Sequence, residues 1–487
     1  MAQHEFSVSL RRDSDSPLIE LSPWYKPLER ILVYETQTFK PGSRYPVTEK
    51  KTLFLTTEKE GRSVGYFPVG LLSRVMKCLR DAGCYIKAVD DRDRTRYFPT
   101  PDFSDVGELR EGQQEVLDAI IRADCGLVVC STGFGKSFII STLTTIYKKS
   151  RFLIIAPGIA ETENLYSRIA KLTDDVSMLG GGNAGSLDAR IIVSTSKSFE
   201  KVDMSRIDFI LFDEAHGCGN NKTSQLLLNS VRGSRLFGFT ASPKGRSDKA
   251  DMIIEALFGP PIVNFTYQET ERMGNVTPIE VQLWNVPGEV AASKSRYGNA
   301  MTQNKRRFYW NNEPRNRLIR AIASTVPDDE QVLIMVDTVE HLVRLGATMP
   351  EFALICGDNN NLIEEAASMR LKLNNRLGDN KEDYAKLVEE FRTGKLRKAI
   401  STFKWKQAVD FPELSVLIRA DGSKSAILAT QVPGRLSRLS PGKERGLLID
   451  FIDQFNPAAL RKSQARIREY REKGWTVKHM GDFGQET

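Results

Sequence analysis

Gln431-Val-Pro-Gly-Arg-Leu-Ser-Arg438 sets two arginines about one helical turn apart, and about 300 residues before it stands Ser131-Thr-Gly-Phe-Gly-Lys-Ser137. The earlier stretch follows the apolar run Cys125-Gly-Leu-Val-Val-Cys130, which reads as a buried strand, and its own residues turn into a helix near Lys136. A helix starting there directs free backbone N–H groups at an anion. Gly133 and Gly135 let the backbone close around phosphate, Lys136 offers a positive charge, and Ser137 is placed to ligate Mg2+. Thr132 and Phe134 complete this expected nucleotide loop, in which Cys130 stands where the strict pattern has glycine.

Between the two stretches, Phe209-Ile-Leu-Phe212 is a second strand-like run ending in Asp213-Glu-Ala-His216. A strand end suits Asp213 to the Mg2+ shell shared with Ser137, and Glu214 to orienting or deprotonating an attacking water. His216 is placed to hydrogen-bond the next motif. The order of phosphate loop, acidic box and arginine box is what a motor needs if one lobe holds ATP and another senses it. Lys136, Asp213, Glu214, Arg435 and Arg438 are therefore the expected catalytic groups. Positions i, i+3 and i+4 share one face of a helix, so Gln431, Arg435 and Arg438 are expected to look into one cleft.

Leu236-Phe-Gly-Phe-Thr240-Ala-Ser242 follows, strand-like and ending in hydroxyl residues. With it the motif series resembles that of superfamily 2 DNA helicases, the acidic box matching a DEAH box and Thr240 with Ser242 matching the coupling motif. Leu257-Phe-Gly-Pro-Pro261 is similar to the segment that closes the first lobe in the XPB-like and phage UvsW-like branches. The resemblance implies further roles. Arg110 and Gln113, in Leu109-Arg-Glu-Gly-Gln113, contact or frame the nucleotide, although Gly112 replaces a bulkier residue and the segment equally suits helix packing. Pro157, Gly158, Gly181 and Thr195 line the nucleic-acid track through backbone and hydroxyl groups. In the second half, Thr402 holds the nucleic-acid backbone and Asp410 faces ATP, with Ala408 in place of the usual glycine.

The implied fold is α/β, with two tandem RecA-like parallel-sheet domains and a small α+β N-terminal accessory domain. Expected boundaries are 1–105 for the accessory, possible DNA-binding domain, 106–275 for the first lobe, 276–320 for an interlobe connection, 321–455 for the second lobe and 456–487 for a basic helical tail. Apolar runs at 331–336, 352–356, 398–402 and 415–420 supply the strands of the second sheet. Lys305-Arg-Arg307 beside Phe308, Tyr309 and Trp310 reads either as a nucleic-acid contact or as a linker helix.

A chain of 487 residues with 40% hydrophobic content is long enough for several cores. Its net charge of +7 suits a nucleic-acid partner. Six cysteines without C-x-x-C spacing and four histidines argue against structural zinc and a disulfide framework. No run approaches a membrane span and no leader pattern is evident, so the expectation is a protein of the bacterial or phage-infected cytoplasm, monomeric or weakly associating. The expected ligands are ATP and Mg2+, and the expected partner is single-stranded, duplex or branched DNA in repair, recombination or replication. RNA is the alternative partner, and a motor or scaffold component of a larger complex the alternative role.

Overall fold

The computed structural model describes residues 5–10, 18–38, 47–90, 99–219, 223–224, 227, 234–241, 251–291, 300–356, 361–378, 380–402, 411–423 and 433–483. The chain divides into two compact units, residues 1–131 with 135–266, and residues 132–134 with 267–487. It is mixed α/β, with two large, mainly parallel sheets and a smaller N-terminal sheet.

In the first unit the large sheet has eight strands, in the order Asn183–Ala184, Val176–Gly180, Ile191–Thr195, Phe152–Ala156, Phe209–Asp213, Arg235–Thr240, Cys125–Cys130 and Pro261–Phe265. All pairings are parallel except that of the two-residue edge strand. Phe152–Ala156, Ile191–Thr195 and Phe209–Asp213 are buried along their whole length, which is why they read as unbroken apolar runs rather than as alternation. The parallel direction puts all their carboxyl ends on one edge, where ligand sites of such sheets form.

The N-terminal sheet orders Leu55–Lys59, Arg62–Pro68, Leu18–Ser22, Glu5–Leu10 and Tyr85–Asp90, and a separate hairpin pairs Val33–Thr38 with Val47–Thr52. Its helix Leu72–Asp81 buries Val75 and Leu79. One apolar core runs without a break from Phe6, Leu21 and Leu79 to Leu127, Ile155, Phe212 and Leu257. A Cβ on Gly70 would come within 2.2 Å of the Glu255 carbonyl oxygen, and Arg74 donates two hydrogen bonds, of 2.9 and 2.5 Å, to the Glu255 carboxylate. The small sheet is therefore packed against helix Asp251–Phe258 rather than tethered beside it.

The second unit is built on a sheet ordered Leu377–Gly378, Ala353–Ile355, Lys398–Thr402, Val332–Val336, Val416–Arg419, Gly446–Ile452, Ile279–Asn285 and Thr476–Gly481. Along Val332–Val336, Ile334 and Val336 enter one core while Leu333 and Met335 enter the other, so both faces are covered. Two segments differ from their sequence reading. Ile279–Asn285, expected in the interlobe connection, is a sheet strand whose Ile279, Val281 and Leu283 are buried in alternation with partly exposed Glu280 and Gln282. Residues beyond 456, read as a basic helical tail, form helix Pro457–Glu472 and then an edge strand, Thr476–Gly481, that adds to the sheet.

The aromatic triplet Phe308-Tyr309-Trp310 is buried in a short π-helical turn, with Lys305 paired to Asp337 and Arg306 to Glu340. Its rings are core, and no face is open for a base. Behind it lies a buried ion network in which Arg315, Arg419, Arg466, Asp421, Asp450 and Asp453 are each at most 2% exposed. Arg419 grips Asp421 through two hydrogen bonds of 3.0 and 2.9 Å, and Arg466 grips Asp450 at 2.8 and 3.0 Å. Arg315 and Arg466 both reach Asp453, at 2.9 and 3.3 Å, and Tyr470 donates to Asp450 at 2.6 Å. Among the described residues no helix is long and apolar enough to cross a membrane, and no three acidic, histidine or cysteine side chains stand close enough to hold a metal ion.

Candidate nucleotide and nucleic-acid site

The strand Cys125–Cys130 leads into the loop and then into helix Lys136–Ile146. Gly135, the residue before the helix, has φ +103°, and Gly133 has φ +92°, conformations open to glycine and costly for other residues. The turn therefore delivers an eleven-residue helix with its first N–H groups free toward the loop. Lys136 is 9% exposed and its Nζ donates to the Cys130 carbonyl oxygen at 3.4 Å. Burial pushes the Cys130 thiol up to about 12, so it stays a neutral packing group at the position where the strict pattern has glycine.

Asp213 ends its strand and is 8% exposed. Burial, reinforced by the neighbouring Glu214 charge, raises its carboxyl well above the ordinary aspartate range, while Lys136 pulls in the opposite direction. Glu214 moves the other way: despite burial, Lys136 and His216 hold its carboxyl low. The two adjacent carboxyls are thus driven apart, one toward the neutral form and one toward the charged form. Glu214 also has φ +52°, a left-handed conformation unfavourable for a non-glycine residue, and its N–H donates to Asp213 Oδ1 at 3.0 Å. His216 Nδ1 stands 3.3 Å from Glu214 Oε2 and 3.3 Å from Thr240 Oγ1. A continuous polar contact thus joins the acidic box to the end of the next strand.

Gln113 is buried, and its Oε1 accepts a hydrogen bond of 3.0 Å from the Arg110 N–H. Its amide lies against the phosphate-type loop, where a Cβ on Gly135 would meet Gln113 Nε2 at 2.7 Å. Gly112 has φ +81°, so the glycine that departs from the sequence pattern makes the left-handed entry to helix Gln113–Arg122. Arg235 was not singled out from sequence. It is 1% exposed, donates to the carbonyl oxygens of Ile120, Ile121 and Ala123 at the far end of that helix, and stacks on Phe209 and Phe237. Its one signal in the sequence is a cation opening an apolar run.

Pro157, Gly158, Gly181 and Thr195 gather at the carboxyl ends of three neighbouring strands. Ser196 donates to the Pro157 carbonyl at 3.3 Å, a Cβ on Gly180 would meet the Thr195 side chain, and one on Gly181 would meet Ile159. They sit on the edge of the sheet that also carries Lys136, Asp213 and Thr240. Thr402 ends the corresponding strand of the second unit, buried, with its Oγ1 3.5 Å from the Cys356 carbonyl oxygen. Ser194 and Ser401 each donate to the carbonyl of the threonine that follows, so the two strand ends repeat one local geometry.

Arg435 and Arg438 lie in the second unit, and Arg435 stacks over Phe411. Arg435 lies in a 3-10 turn, Pro433–Ser437, rather than on an α-helical face, and Arg438 follows directly after it. The Arg438 N–H donates to the Arg435 carbonyl, and the three-residue period of such a turn keeps both arginines on one side. Ser242, Asp410 and Gln431 lie outside the described residues. Thr132, Gly133 and Phe134 group with the second unit, and Phe134 is buried.

Residues 107–245 match the family described as Type III restriction enzyme, res subunit. The chain is 25% identical over 374 residues to the candidate helicase 22 of Sulfolobus islandicus filamentous virus, covering 71% of this chain and 64% of that protein. It is 22% identical over 386 residues to the DNA 3'-5' translocase XPB2 of Sulfurisphaera tokodaii, covering 73% and 84%. The chain thus spans less than two thirds of the viral relative's length. Among solved structures, the ATP-dependent Type ISP restriction-modification enzyme LlaBIII bound to DNA shares the fold at a TM-score of 0.53 and 14% identity, over 85% of this chain and 35% of that one. The matched residues 107–245 hold the loop and the acidic box, and over about seven tenths of its length the chain is similar to proteins described as a helicase and a DNA translocase.

Proposed function

We propose that this protein is an ATP-dependent DNA helicase or translocase that remodels duplex or branched DNA. The observation that carries the reading is the single sheet edge of the first unit. It bears buried Asp213 and half-buried Glu214, tuned in opposite directions beside Lys136, and on adjacent strands an uncharged row of glycine, proline and hydroxyl residues. Such a row suits contact with a phosphate backbone without reading bases. The name of the archaeal relative, a DNA translocase, supports DNA over RNA.

The site fits ATP with Mg2+. The N–H groups in the first turn of helix Lys136–Ile146 are suited to donate to phosphate oxygens, and a buried carboxyl such as Asp213, held above its ordinary range by burial, is suited to a bound cation. Ser137 and Asp213 are assigned to the metal, whose charge when bound neutralises phosphate oxygens. Gln113 and Arg110 frame the loop, and Lys136 meets the outer phosphates. Glu214, kept ionised by Lys136 and His216, accepts a hydrogen bond from the attacking water and orients it. His216 carries the state of Glu214 to Thr240, which with Ser242 is assigned the coupling role. Arg435 and Arg438 stabilise charge on the transferring phosphoryl group, an effect of about 10³ to 10⁵ in rate where measured in related sites.

The test is steady-state ATP hydrolysis with no nucleic acid, single-stranded DNA, duplex DNA, a four-way junction and RNA. Lys136→Ala and Glu214→Gln are expected to lose the stimulated rate, by about a thousandfold or more, with circular dichroism unchanged. Strongest stimulation by junctions is the expected pattern. Stimulation by RNA alone overturns the DNA assignment, and near-normal turnover in both variants overturns the site.

A further inference from the structure

Two arginines at the amino edge of the first large sheet hold the rear ends of the two helices whose front ends meet the phosphate-type loop. Arg235 opens strand Arg235–Thr240 and pairs in register with Phe209, the first residue of the strand that ends in Asp213. Its Nη2 donates to the carbonyl oxygens of Ile120, of Ile121 at 3.0 Å and of Ala123 at 2.7 Å, and its Nε donates to Ala123 at 3.2 Å. These carbonyls close helix Gln113–Arg122, where a helix leaves acceptors without internal donors and favours a cation. Arg190, directly before strand Ile191–Thr195, does the same behind helix Lys136–Ile146, through the carbonyl oxygens of Thr144, Tyr147 and Ser150.

Packing alone does not account for Arg235. It is 1% exposed, and its guanidinium lies 4.8 Å from the centre of the Phe209 ring and 5.4 Å from that of Phe237. A methionine would fill such an apolar slot without the cost of a buried charge. Arginine adds a rigid fork of donors, directional where apolar contact is not. Helix Gln113–Arg122 has little else to fix it along its axis. Val116, Leu117 and Ile120 bury one side of it, and at its start Gly112 offers no capping side chain.

At the front of this ten-residue helix, about 15 Å from its rear end, stands Gln113. Its amide reaches the loop, since a Cβ on Gly135 would meet Nε2 at 2.7 Å. An amide carries both a donor and an acceptor, the pair that N7 and N6 of adenine complement, whereas guanine presents two acceptors on the same edge.

We infer that Arg235 is a positioning residue for base selection. By fixing the rear of helix Gln113–Arg122 to the two strands that carry Asp213 and Thr240, it sets where the Gln113 amide stands and so the preference for adenine over guanine nucleotides. The inference rests on the nucleotide site proposed above. The test is the ratio of the dissociation constants for GTP and ATP, measured on the full chain with Mg2+ by competition against a fluorescent ribose-labelled ATP. Gln113→Ala establishes the base contact and lowers the ratio about tenfold. Arg235→Met lowers it by about the same factor, and the double variant by no more, because both act on one contact. Arg235→Lys, which keeps the charge without the fork, lowers it about threefold. Arg190→Met weakens both nucleotides alike and leaves the ratio unchanged. Circular dichroism identifies the folded variants. Native selectivity in folded Arg235→Met, or in Arg235→Lys should the methionine variant not fold, overturns the inference while leaving the Gln113 contact intact. Additive losses in the double variant, or an equal loss of selectivity in Arg190→Met, overturn it as well. No preference for ATP in the native chain, or an unchanged ratio in Gln113→Ala, overturns the base contact itself and this inference with it.

Discussion

Both large sheets bury charge near their strands, yet they treat it in opposite ways. In the second unit three arginines and three aspartates, all at most 2% exposed, pair with one another, and the Arg466 and Arg419 guanidiniums hold Asp450 below its ordinary range against the pull of burial. In the first unit Asp213 is nearly as buried, but its nearest carboxyl neighbour is another acid and its own carboxyl is raised. One arrangement gives every buried carboxylate a guanidinium. The other becomes balanced when a cation arrives. The same fold therefore uses buried charge as internal bracing in one sheet and as unfinished chemistry in the other.

The largest expected effect breaks the bracing. Arg466→Ala takes from Asp450 its two guanidinium hydrogen bonds and from Asp453 the longer of its two in a dry interior, and removing one partner of a buried pair costs about 3 to 5 kcal/mol. Urea unfolding followed by fluorescence of Trp475, which stacks on Tyr470, is expected to show the loss. A change below about 1 kcal/mol would mean that the network is not a cooperative brace.

A smaller effect, of opposite sign, is expected in the first sheet. With its folded-state pKa raised, Asp213 binds more protons in the folded than in the unfolded protein at pH values above the ordinary aspartate pKa of about 4. Stability from this group therefore falls as pH rises through that window until the folded carboxyl has ionised. Asp213→Asn keeps an acceptor for the Glu214 N–H and removes the buried charge. It is expected to stabilise the nucleotide-free protein by about 1 kcal/mol at pH 8 and by less at pH 5, while hydrolysis is lost. Thermal melts at the two pH values decide the matter, and a lower melting temperature at pH 8 rejects it.

The contrast also explains what could be read from sequence. Cys125–Cys130, Phe209–Asp213 and Val332–Val336 are legible because strands buried on both faces become unbroken apolar runs, and the loop glycines are legible because their positive φ excludes other residues. The brace is not legible. Arg315, Asp421, Asp453 and Arg466 are scattered over about 150 residues, and each alone looks like a surface charge. Ile279–Asn285 was missed as a sheet strand because its partners Gly446–Ile452 and Thr476–Gly481 come about 160 residues or more later. The arginine box gave its residue types but not its backbone, which is a 3-10 turn where the spacing predicts an α-helical face. Gly112 looked like a departure from a motif and proves to be a backbone requirement.

A third ion pair supplies the lower bound of the series. Arg74 and Glu255 make two hydrogen bonds, as Arg419 and Asp421 do, but their side chains are 39% and 29% exposed. Water already solvates both charges, so most of the Coulomb gain is screened and the pair contributes about 0.2 to 1 kcal/mol. The packing of the small sheet on helix Asp251–Phe258 must then rest on the continuous apolar core and on the approach of Gly70, not on this bridge. Arg74→Ala is accordingly expected to lower stability by less than about 1 kcal/mol and to lose that effect in 1 M salt. A loss as large as that of Arg466→Ala, or one insensitive to salt, would show that geometry rather than burial sets the worth of these pairs.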